Sequence, residues 1–263
     1  MNINKAGDYF LIPVSLAQHV LKHRLVKELN LYIALKVISS GQVVWNIETK
    51  VKVATKMKVT TRTIENIFPK LVALNWARCH KSKVYLQSFD FITNSIDSSI
   101  RTGVQFHPDD LLHFRAFLIG TLMGYLVNMQ KLKVRNDRRL GLCKKRDNNS
   151  TKRLSFYPIA NVALASILEC SIATACNYKT EAAKFKYILQ KKHVVVYENV
   201  LPENIHSLKK AMPEKSARLW IKKNKVVEQL PDLIAPALRY KARKKVGHIK
   251  GGYRGKQTNP IKE

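Results

Sequence analysis

The spacing of hydrophobic residues predicts helices and one short strand near the N-terminus. Apolar residues recur at helical spacing between Leu29 and Ile38 and stop before Gly41, which is a common helix terminator. The consecutive apolar residues Val43–Trp45 are typical of a short strand, and a further helix is expected over Thr49–Met57. The chain therefore begins with a mixture of helices and strands.

A tight turn and another helix are expected next. Lys58-Val59 forms the turn, and Thr60 should cap the following helix. The apolar face of that helix consists of Ile64, Ile67, Phe68 and Leu71. Pro69 lies inside this pattern and should kink or break the helix. Residues 76–86 form two short apolar runs around a basic turn, which suits a β-hairpin. Helices followed by a hairpin predict a winged helix-turn-helix domain over residues 1–92.

The same plan recurs farther along the chain. Asp109–Met129 predicts a long apolar helix, and Ile159–Leu168 predicts a shorter one. Glu169-Cys170 then forms a turn, and Ser171 should cap a second helix whose last part is Ala182–Leu189. This pattern predicts another helix-turn-helix.

The faces of this last helix can also be predicted. Ile172 and Ala175 are expected to point inward, whereas Thr174, Asn177, Tyr178 and Lys179 are expected to point outward. Lys191–Tyr197 matches the second arm of a wing. A second helix-turn-helix or winged-helix domain is therefore predicted over residues 109–200.

The remaining segments are interpreted from their composition. Residues 93–108 are polar and are expected to form a linker, and residues 131–153 are expected to form a flexible basic loop. Residues 201–238 are interpreted as a helical extension, with amphipathic helices at Ile205–Ala211 and Ser216–Val227. Residues 239–263 are expected to form a basic flexible tail.

The charge of the chain indicates a polyanionic partner. Lysine and arginine total 47 against 18 acidic residues, which gives a net charge of +29 and a pI of about 10.1. Such a surplus favours DNA or RNA as the partner. A membrane surface is less favoured, because the charge is spread along the chain.

No cofactor, metal or catalytic centre is expected. The four cysteines form no CxxC pair, and the sequence contains no GxxxxGK[ST], GxGxxG or HExxH motif. The acidic and histidine cluster His107–Asp110 is interpreted as helix capping. The apolar segment Phe114–Met129 is too short for a membrane span, and the N-terminus shows no signal peptide, so a cytoplasmic, nucleoid- or plasmid-associated protein is expected.

The exposed residues of the two predicted reading helices, the wings, the loop and the tail are candidate nucleic-acid contacts. Arg62 can form a bidentate bond with guanine, and Asn66 can do the same with adenine. Ser171 is expected mainly to cap its helix. The full candidate set is Thr61, Arg62, Thr63, Asn66, Lys81, Lys83, Arg138, Arg139, Lys144, Lys145, Arg146, Ser171, Thr174, Asn177, Tyr178, Lys179, Lys191, Lys192, Arg243, Lys244 and Lys245.

The segment Asn161–Ala183 resembles the "LA…LG-S-x-x-T-A-x-R-Y-x-x-x-A" pattern of bacterial helix-turn-helix proteins, which are often encoded on mobile elements. It departs from the pattern at Glu169-Cys170, where a small turn with glycine is usual, and at Asn177, where arginine is common. The tandem arrangement also resembles plasmid replication initiators built from two winged helices. The resemblance implies a replication initiator or transcriptional regulator of a mobile element, plasmid or phage.

Together these features predict an α+β, mainly α protein with two winged helix-turn-helix-like domains and a basic C-terminal tail. The expected function is non-catalytic binding of double-stranded DNA, as a homodimer or within a larger nucleoprotein complex. Two alternatives remain open. One is an RNA-binding component of a ribonucleoprotein, and the other is a DNA-binding accessory subunit of a transposition or defence complex.

Overall fold

The computed structural model describes residues 10–39, 41–96, 100, 102–140 and 156–242. The fold is α+β and mainly α, with open sheets. The helices are α1 Val14–Lys22, α2 Val26–Ile38, α3 Ile47–Met57, α4 Thr61–Ala73, α5 Phe89–Ser95, α6 Phe114–Arg139, α7 Asn161–Leu168, α8 Ile172–Lys184 and α9 Ile205–Ala211. The strands are β1 Phe10–Pro13, β2 Gln42–Val44, β3 Ala77–His80, β4 Lys83–Leu86, β5 Thr102–Phe106, β6 Tyr157–Pro158, β7 Ile188–Tyr197, β8 Leu219–Lys222, β9 Lys225–Pro236 and β10 Tyr240–Ala242. Three short 3-10 helices cover Pro108–His113, Pro202–Asn204 and Pro213–Arg218.

The first unit consists of α2, β2, α3, α4, β3 and β4 in chain order. Its strands are antiparallel and lie in the order β2-β4-β3, so the last strand is central. The predicted helix, turn, cap and hairpin are all present. Pro69 does not break α4, which continues to Ala73.

The second unit repeats this order with α6, β6, α7, α8, β7 and β9. In its sheet, the order is β6-β9-β7. The last strand, β9, is therefore central, just as β4 is central in the first unit. An inserted segment separates β7 from β9 and contains α9 and β8, and β8 pairs with β9. Both units therefore place a pair of helices beside a three-stranded arrangement of the same order.

Two sequence predictions for this unit are wrong. The helix α8 ends at Lys184, and Ile188 begins β7, so Ala182–Leu189 is not one continuous helix. The segment Ser216–Val227 forms strands β8 and β9 rather than an amphipathic helix, although the predicted helix Ile205–Ala211 is present as α9. The segment is a strand because β9 pairs with the distant strand β7. The helical spacing of a few apolar residues does not indicate such long-range pairing.

A third sheet connects distant parts of the chain. It has the order β1-β5-β10, with β5 central and both neighbours antiparallel. Residues 93–108 are therefore not a simple linker, because they contain β5. The segment predicted as a flexible tail likewise begins with β10, and its residues from 243 onward lie outside the described part of the chain.

The long helix α6 lies at the centre of the packing. It contacts α1, α8 and β9, and most of its first half is buried. Two glycines permit this packing. A Cβ atom on Gly120 would lie 2.5 Å from Tyr187 Cβ, and one on Gly124 would overlap the Tyr240 hydroxyl. Tyr240 donates a hydrogen bond to the carbonyl oxygens of Gly120 and Thr121, at 3.0 and 2.8 Å.

By length and composition, residues Pro108–Asp137 could cross a membrane, but 67% of the most apolar window is buried inside the protein. This is the usual pattern of a core helix in a soluble protein. The helix continues to Arg139, so the first part of the predicted basic loop 131–153 is helical. Residues 141–155 lie outside the described part of the chain.

Candidate nucleic-acid interface

The two helix pairs, α3 with α4 and α7 with α8, share their turn geometry residue by residue. Lys58 and Glu169, which end α3 and α7, both adopt left-handed backbone, with φ of 52° and 49°. These residues lie 111 positions apart, and the same spacing joins the residues with positive φ that follow the second helices, Asn75 and Lys186. The helices α4 and α8 each contain 13 residues. The same local backbone therefore occurs twice in the chain.

The caps of α4 and α8 are also equivalent. The Thr60 hydroxyl accepts a hydrogen bond from the Thr63 backbone N–H at 3.2 Å, and Ser171 accepts one from Thr174 at 3.1 Å. The Thr63 hydroxyl lies 2.9 Å from that of Thr60, and the Thr174 hydroxyl lies 2.8 Å from that of Ser171. Both predicted caps are confirmed. Thr63 and Thr174 are thus engaged at the helix start, and their hydroxyls are only partly available to a ligand.

The exposed face of α4 carries both a cation and an amide. Arg62 and Asn66 are exposed and lie four residues apart, so they project from the same side of the helix. Thr61 is half-buried beside them. Glu65 pairs with Lys50 of α3 at 2.8 Å, which joins the two helices across their surface. This face offers a guanidinium and an amide that can donate to base edges or phosphates.

The hairpin β3–β4 adds further basic side chains next to this helix pair. Lys81 occupies the left-handed turn between the strands, with φ of 52°, and Lys83 begins β4. Both side chains are exposed, as are Arg78 and His80. Lys83 lies opposite His80 in the ladder. The hairpin therefore presents a basic tip, as its sequence predicted.

The corresponding face of α8 is different. Ala173 stands 111 residues after Arg62, so the cation of α4 has no equivalent here. Asn177 is exposed at the position that matches Asn66, whereas Tyr178 is half-buried. Ile172 is 54% exposed, so its predicted inward orientation is wrong, while Ala175 is buried as predicted.

Arg115 of α6 covers part of α8. Its Nε atom lies 2.9 Å from the nearer carboxylate oxygen of Glu181, and its guanidinium lies 5.9 Å from the centre of the Tyr178 ring. The candidate reader Tyr178 therefore contacts a cation of its own chain. The first turns of α8 therefore carry less exposed charge than those of α4.

Lys179 does not face solvent, which corrects the predicted phosphate contact. Its side chain is 1% exposed, and its Nζ atom donates to the Ile159 carbonyl at 2.7 Å and lies 3.3 Å from Asp232 of β9. Burial lowers the pKa of Lys179, although the neighbouring Asp232 opposes this shift. The ammonium group holds α8 against the sheet and is not available to a ligand.

Asp232 is the centre of this buried polar cluster. Gln190 donates to it at 2.8 Å, and Lys192 pairs with it at 3.2 Å. Burial alone would raise the pKa of Asp232, but the charges and hydrogen bonds of Lys179 and Lys192 outweigh burial and lower it. Lys192 remains 64% exposed, so it is partly available, and Lys191 is exposed with its Nζ atom 4.4 Å from the centre of the Phe156 ring.

Two cations from the first part of the chain lie close to the start of α8. A cleft of about 310 Å³ lies between the α1–α2 turn and the α7–α8 turn. Lys22 and Arg24 line one side, and Ser171, Thr174 and Tyr178 line the other. Lys22 pairs with Glu169 at 2.7 Å. Burial raises the pKa of the Cys170 thiol, and the charge of Arg24 opposes this shift.

Lys22 and Arg24 are functional candidates that sequence reasoning missed. The basic run Lys22-His23-Arg24 was visible, but nothing local indicates that it lies against a turn about 145 residues later. Only the packing of α1 on α7 brings these groups together.

The remaining candidates fall at the edges of the described structure. Arg138 and Arg139 lie at the end of α6 rather than in a loop, and Arg139 is exposed. Outside the described residues are Lys144, Lys145, Arg146, Arg243, Lys244 and Lys245.

Asp110 caps the 3-10 helix, because its carboxylate accepts from the His107 backbone N–H at 2.9 Å. Within the described ranges, no cluster of three or more His, Cys, Asp or Glu side chains could hold a metal ion.

Comparisons with protein-family models, with curated proteins and with solved structures found no match to this chain.

Proposed function

We propose that this protein binds double-stranded DNA, without catalysis, through two winged helix-turn-helix units. The observation that carries the proposal is the repeated arrangement. Two helix pairs have the same turn, the same cap and the same strand order behind them, in a chain with a net charge of +29. In a helix-turn-helix, the second helix enters the major groove and its first turns contact base edges.

The two units contribute unequally to this proposed binding. In the first unit, we expect the exposed Arg62 and Asn66 to contact bases, and the exposed Lys81 and Lys83 to contact phosphates. In the second unit, we expect the exposed Asn177 to read bases, and Arg24 to supply positive charge beside the start of α8, since Lys22 in the same cleft is paired with Glu169. We therefore expect the first unit to contribute most of the sequence preference.

The proposed biological role follows the resemblance of the second helix pair to bacterial helix-turn-helix proteins. Within this proposal, the protein acts as a replication initiator or transcriptional regulator of a mobile element. Two recognition units in one chain suit a site with two half-sites at fixed spacing.

The test is a binding titration with duplex DNA, single-stranded DNA and structured RNA at near-physiological salt. A basic peptide of equal net charge is the control for charge alone, because phosphate contacts dominate affinity for any polycation. The proposal predicts duplex affinity well above that of the peptide. Equal affinity for protein and peptide would reject it, and preference for structured RNA would replace it with the ribonucleoprotein function.

A further inference from the structure

The β8–β9 hairpin forms a basic projection that neither helix pair includes. Its strands are joined by Lys223 and Asn224, both with left-handed backbone at φ of 50° and 58°. This is the backbone of a tight two-residue hairpin turn, in which asparagine is favoured. Lys222 and Lys225 face each other across the last pair of the ladder, and all four residues are exposed. The ammonium groups of Lys222, Lys223 and Lys225 therefore lie around one turn.

The two faces of this hairpin differ. One face is covered, because Leu219 and Val226 pack with Ile205 of α9 in a small separate core. The opposite face is exposed in part, although Val227 on it is only 3% exposed. There Trp220 lies opposite Val227, which in turn lies opposite Val196 of β7. Trp220 is 45% exposed, and the Lys222 ammonium lies 6.0 Å from the centre of its ring.

A buried carboxylate holds the base of the hairpin in place. Glu228 of β9 is 4% exposed and accepts a hydrogen bond from the Tyr197 hydroxyl at 2.8 Å. Lys215 and Arg218 lie 3.8 and 3.6 Å from its oxygens. These contacts neutralise Glu228 within the protein. Glu228 therefore does not neutralise the lysines at the tip. Their charges remain available to a ligand.

The position of the tip relative to α8 follows from the ladder. The strand β7 begins at Ile188, shortly after α8, and reaches the tip at Tyr197, which pairs with Val226. The nine residue steps from Ile188 to Tyr197 span about 30 Å at most, because a β-bulge between Lys191 and His193 shortens the strand, and one turn of duplex DNA is about 34 Å long. The tip therefore lies at the opposite end of β7 from α8, at a separation along the strand comparable with one turn of duplex DNA.

We propose that the tip Lys222–Lys225 is a phosphate-binding contact for duplex DNA that flanks the site of the second helix pair. This inference rests on the proposed function and extends it to a third contact. The three ammonium groups bind backbone phosphates, and the indole of Trp220 packs against the adjoining sugars. Such contacts add affinity and fix the position of the protein on DNA without reading sequence.

The test compares two double variants that remove the same charge. Lys223→Gln with Lys225→Gln removes two tip cations. Lys209→Gln with Lys210→Gln removes two cations from α9, which covers the other face of the hairpin. The measured quantity is the slope of log affinity for duplex DNA against log salt concentration. Each lost phosphate contact reduces this slope by about 0.9.

The inference predicts a slope reduced by about 1.8 in the tip variant, since two contacts are lost. The α9 variant should keep the wild-type slope, and Lys223→Arg with Lys225→Arg should restore it. Equal slopes in the tip and α9 variants would overturn the inference while leaving the proposed function intact. Absence of duplex binding by the wild-type protein would instead reject the proposed function, and the inference with it.

Trp220 provides an independent measurement. The tryptophans Trp45 and Trp76 belong to the first unit, where Trp45 is stacked on Phe68 and Trp76 is 4% exposed. Acrylamide quenching of the wild-type protein minus that of Trp220→Phe isolates the exposed indole. We expect duplex DNA to protect this indole from quenching. Unchanged quenching at saturating DNA would contradict contact at this face.

Discussion

The two helix pairs have nearly the same backbone and very different surfaces. At the position where α4 presents Arg62, α8 has Ala173, and where α4 places Phe68 against Trp45, α8 buries Lys179 against Asp232. Turn, cap and helix length are shared because short-range sequence determines them. The surface is set by single residues and by the neighbours that packing supplies. A repeated fold therefore does not imply a repeated role.

The buried lysine of the second unit should give the largest effect on stability. Lys179→Met removes the buried cation beside Asp232 and leaves the Ile159 carbonyl without its donor, so that only Lys192 and Gln190 remain on the carboxylate. We therefore expect Lys179→Met to reduce the free energy of unfolding by about 3 kcal/mol. Lys192→Met is the matched control, because Lys192 pairs with the same carboxylate but is 64% exposed. It should cost less than about 1 kcal/mol. Urea unfolding measures both variants, and equal losses would contradict the structural role of Lys179.

The exposed arginine of the first unit should give the next largest effect, this time on recognition. If Arg62 reads guanine, Arg62→Ala should lower discrimination between sites by about 1–3 kcal/mol. Arg62→Lys keeps the charge but loses the planar fork, so it should lose discrimination as well. Competition binding with single-base variants of the site measures this. A uniform loss across all sequences would place Arg62 on phosphate.

The caps should behave alike, since their geometry is shared. We expect Thr60→Ala and Ser171→Ala each to cost about 1 kcal/mol of stability. The double variant should show the sum, because the two caps share no partner. Thermal or urea unfolding of the three variants checks this. A loss at only one of the two positions would show that the second turn is held by other contacts, such as the Lys22–Glu169 pair.

A gained cation should give the smallest effect. Ala173→Arg places on α8 the side chain that α4 has at the matching position, and we expect duplex affinity to increase less than about tenfold. Thr180→Arg adds the same charge at an exposed position farther along α8 and serves as the control. Electrophoretic mobility shifts measure both. If the two variants bind equally, the start of α8 does not contact DNA more closely than the rest of the helix.

Local sequence predicted the helix pairs but not their surroundings. The turns at Lys58 and Glu169 and the caps at Thr60 and Ser171 were found because each depends on a few adjacent residues. The strand β5 was interpreted as a linker because its partners β1 and β10 lie at the two ends of the chain. The hairpin at Lys223-Asn224 was predicted as a helix, although asparagine in a basic turn between apolar runs was an available signal.

The exposure of the candidate site residues was predictable only in part. Arg62 and Asn66 were placed on an exposed face by helical spacing alone. Lys179 was placed outward by the same rule, but Asp232 is 53 residues away and no local pattern reveals it. Lys22 and Arg24 lie beside the α7–α8 turn because α1 packs on α7, which no local pattern reveals. Periodicity thus predicts which side of a helix is polar, but not which polar residues the tertiary structure buries.

Selection of bound sequences from a random duplex DNA pool at near-physiological salt tests the central claim most directly. The wild-type protein, Arg62→Ala with Asn66→Ala, and Asn177→Ala should be compared in the same experiment. For the wild-type protein we predict one enriched motif with two half-sites at fixed spacing. Arg62→Ala with Asn66→Ala should remove one half-site from the motif, and Asn177→Ala should weaken the other. No enriched motif, or a motif that neither variant changes, would contradict DNA recognition by the two helix pairs.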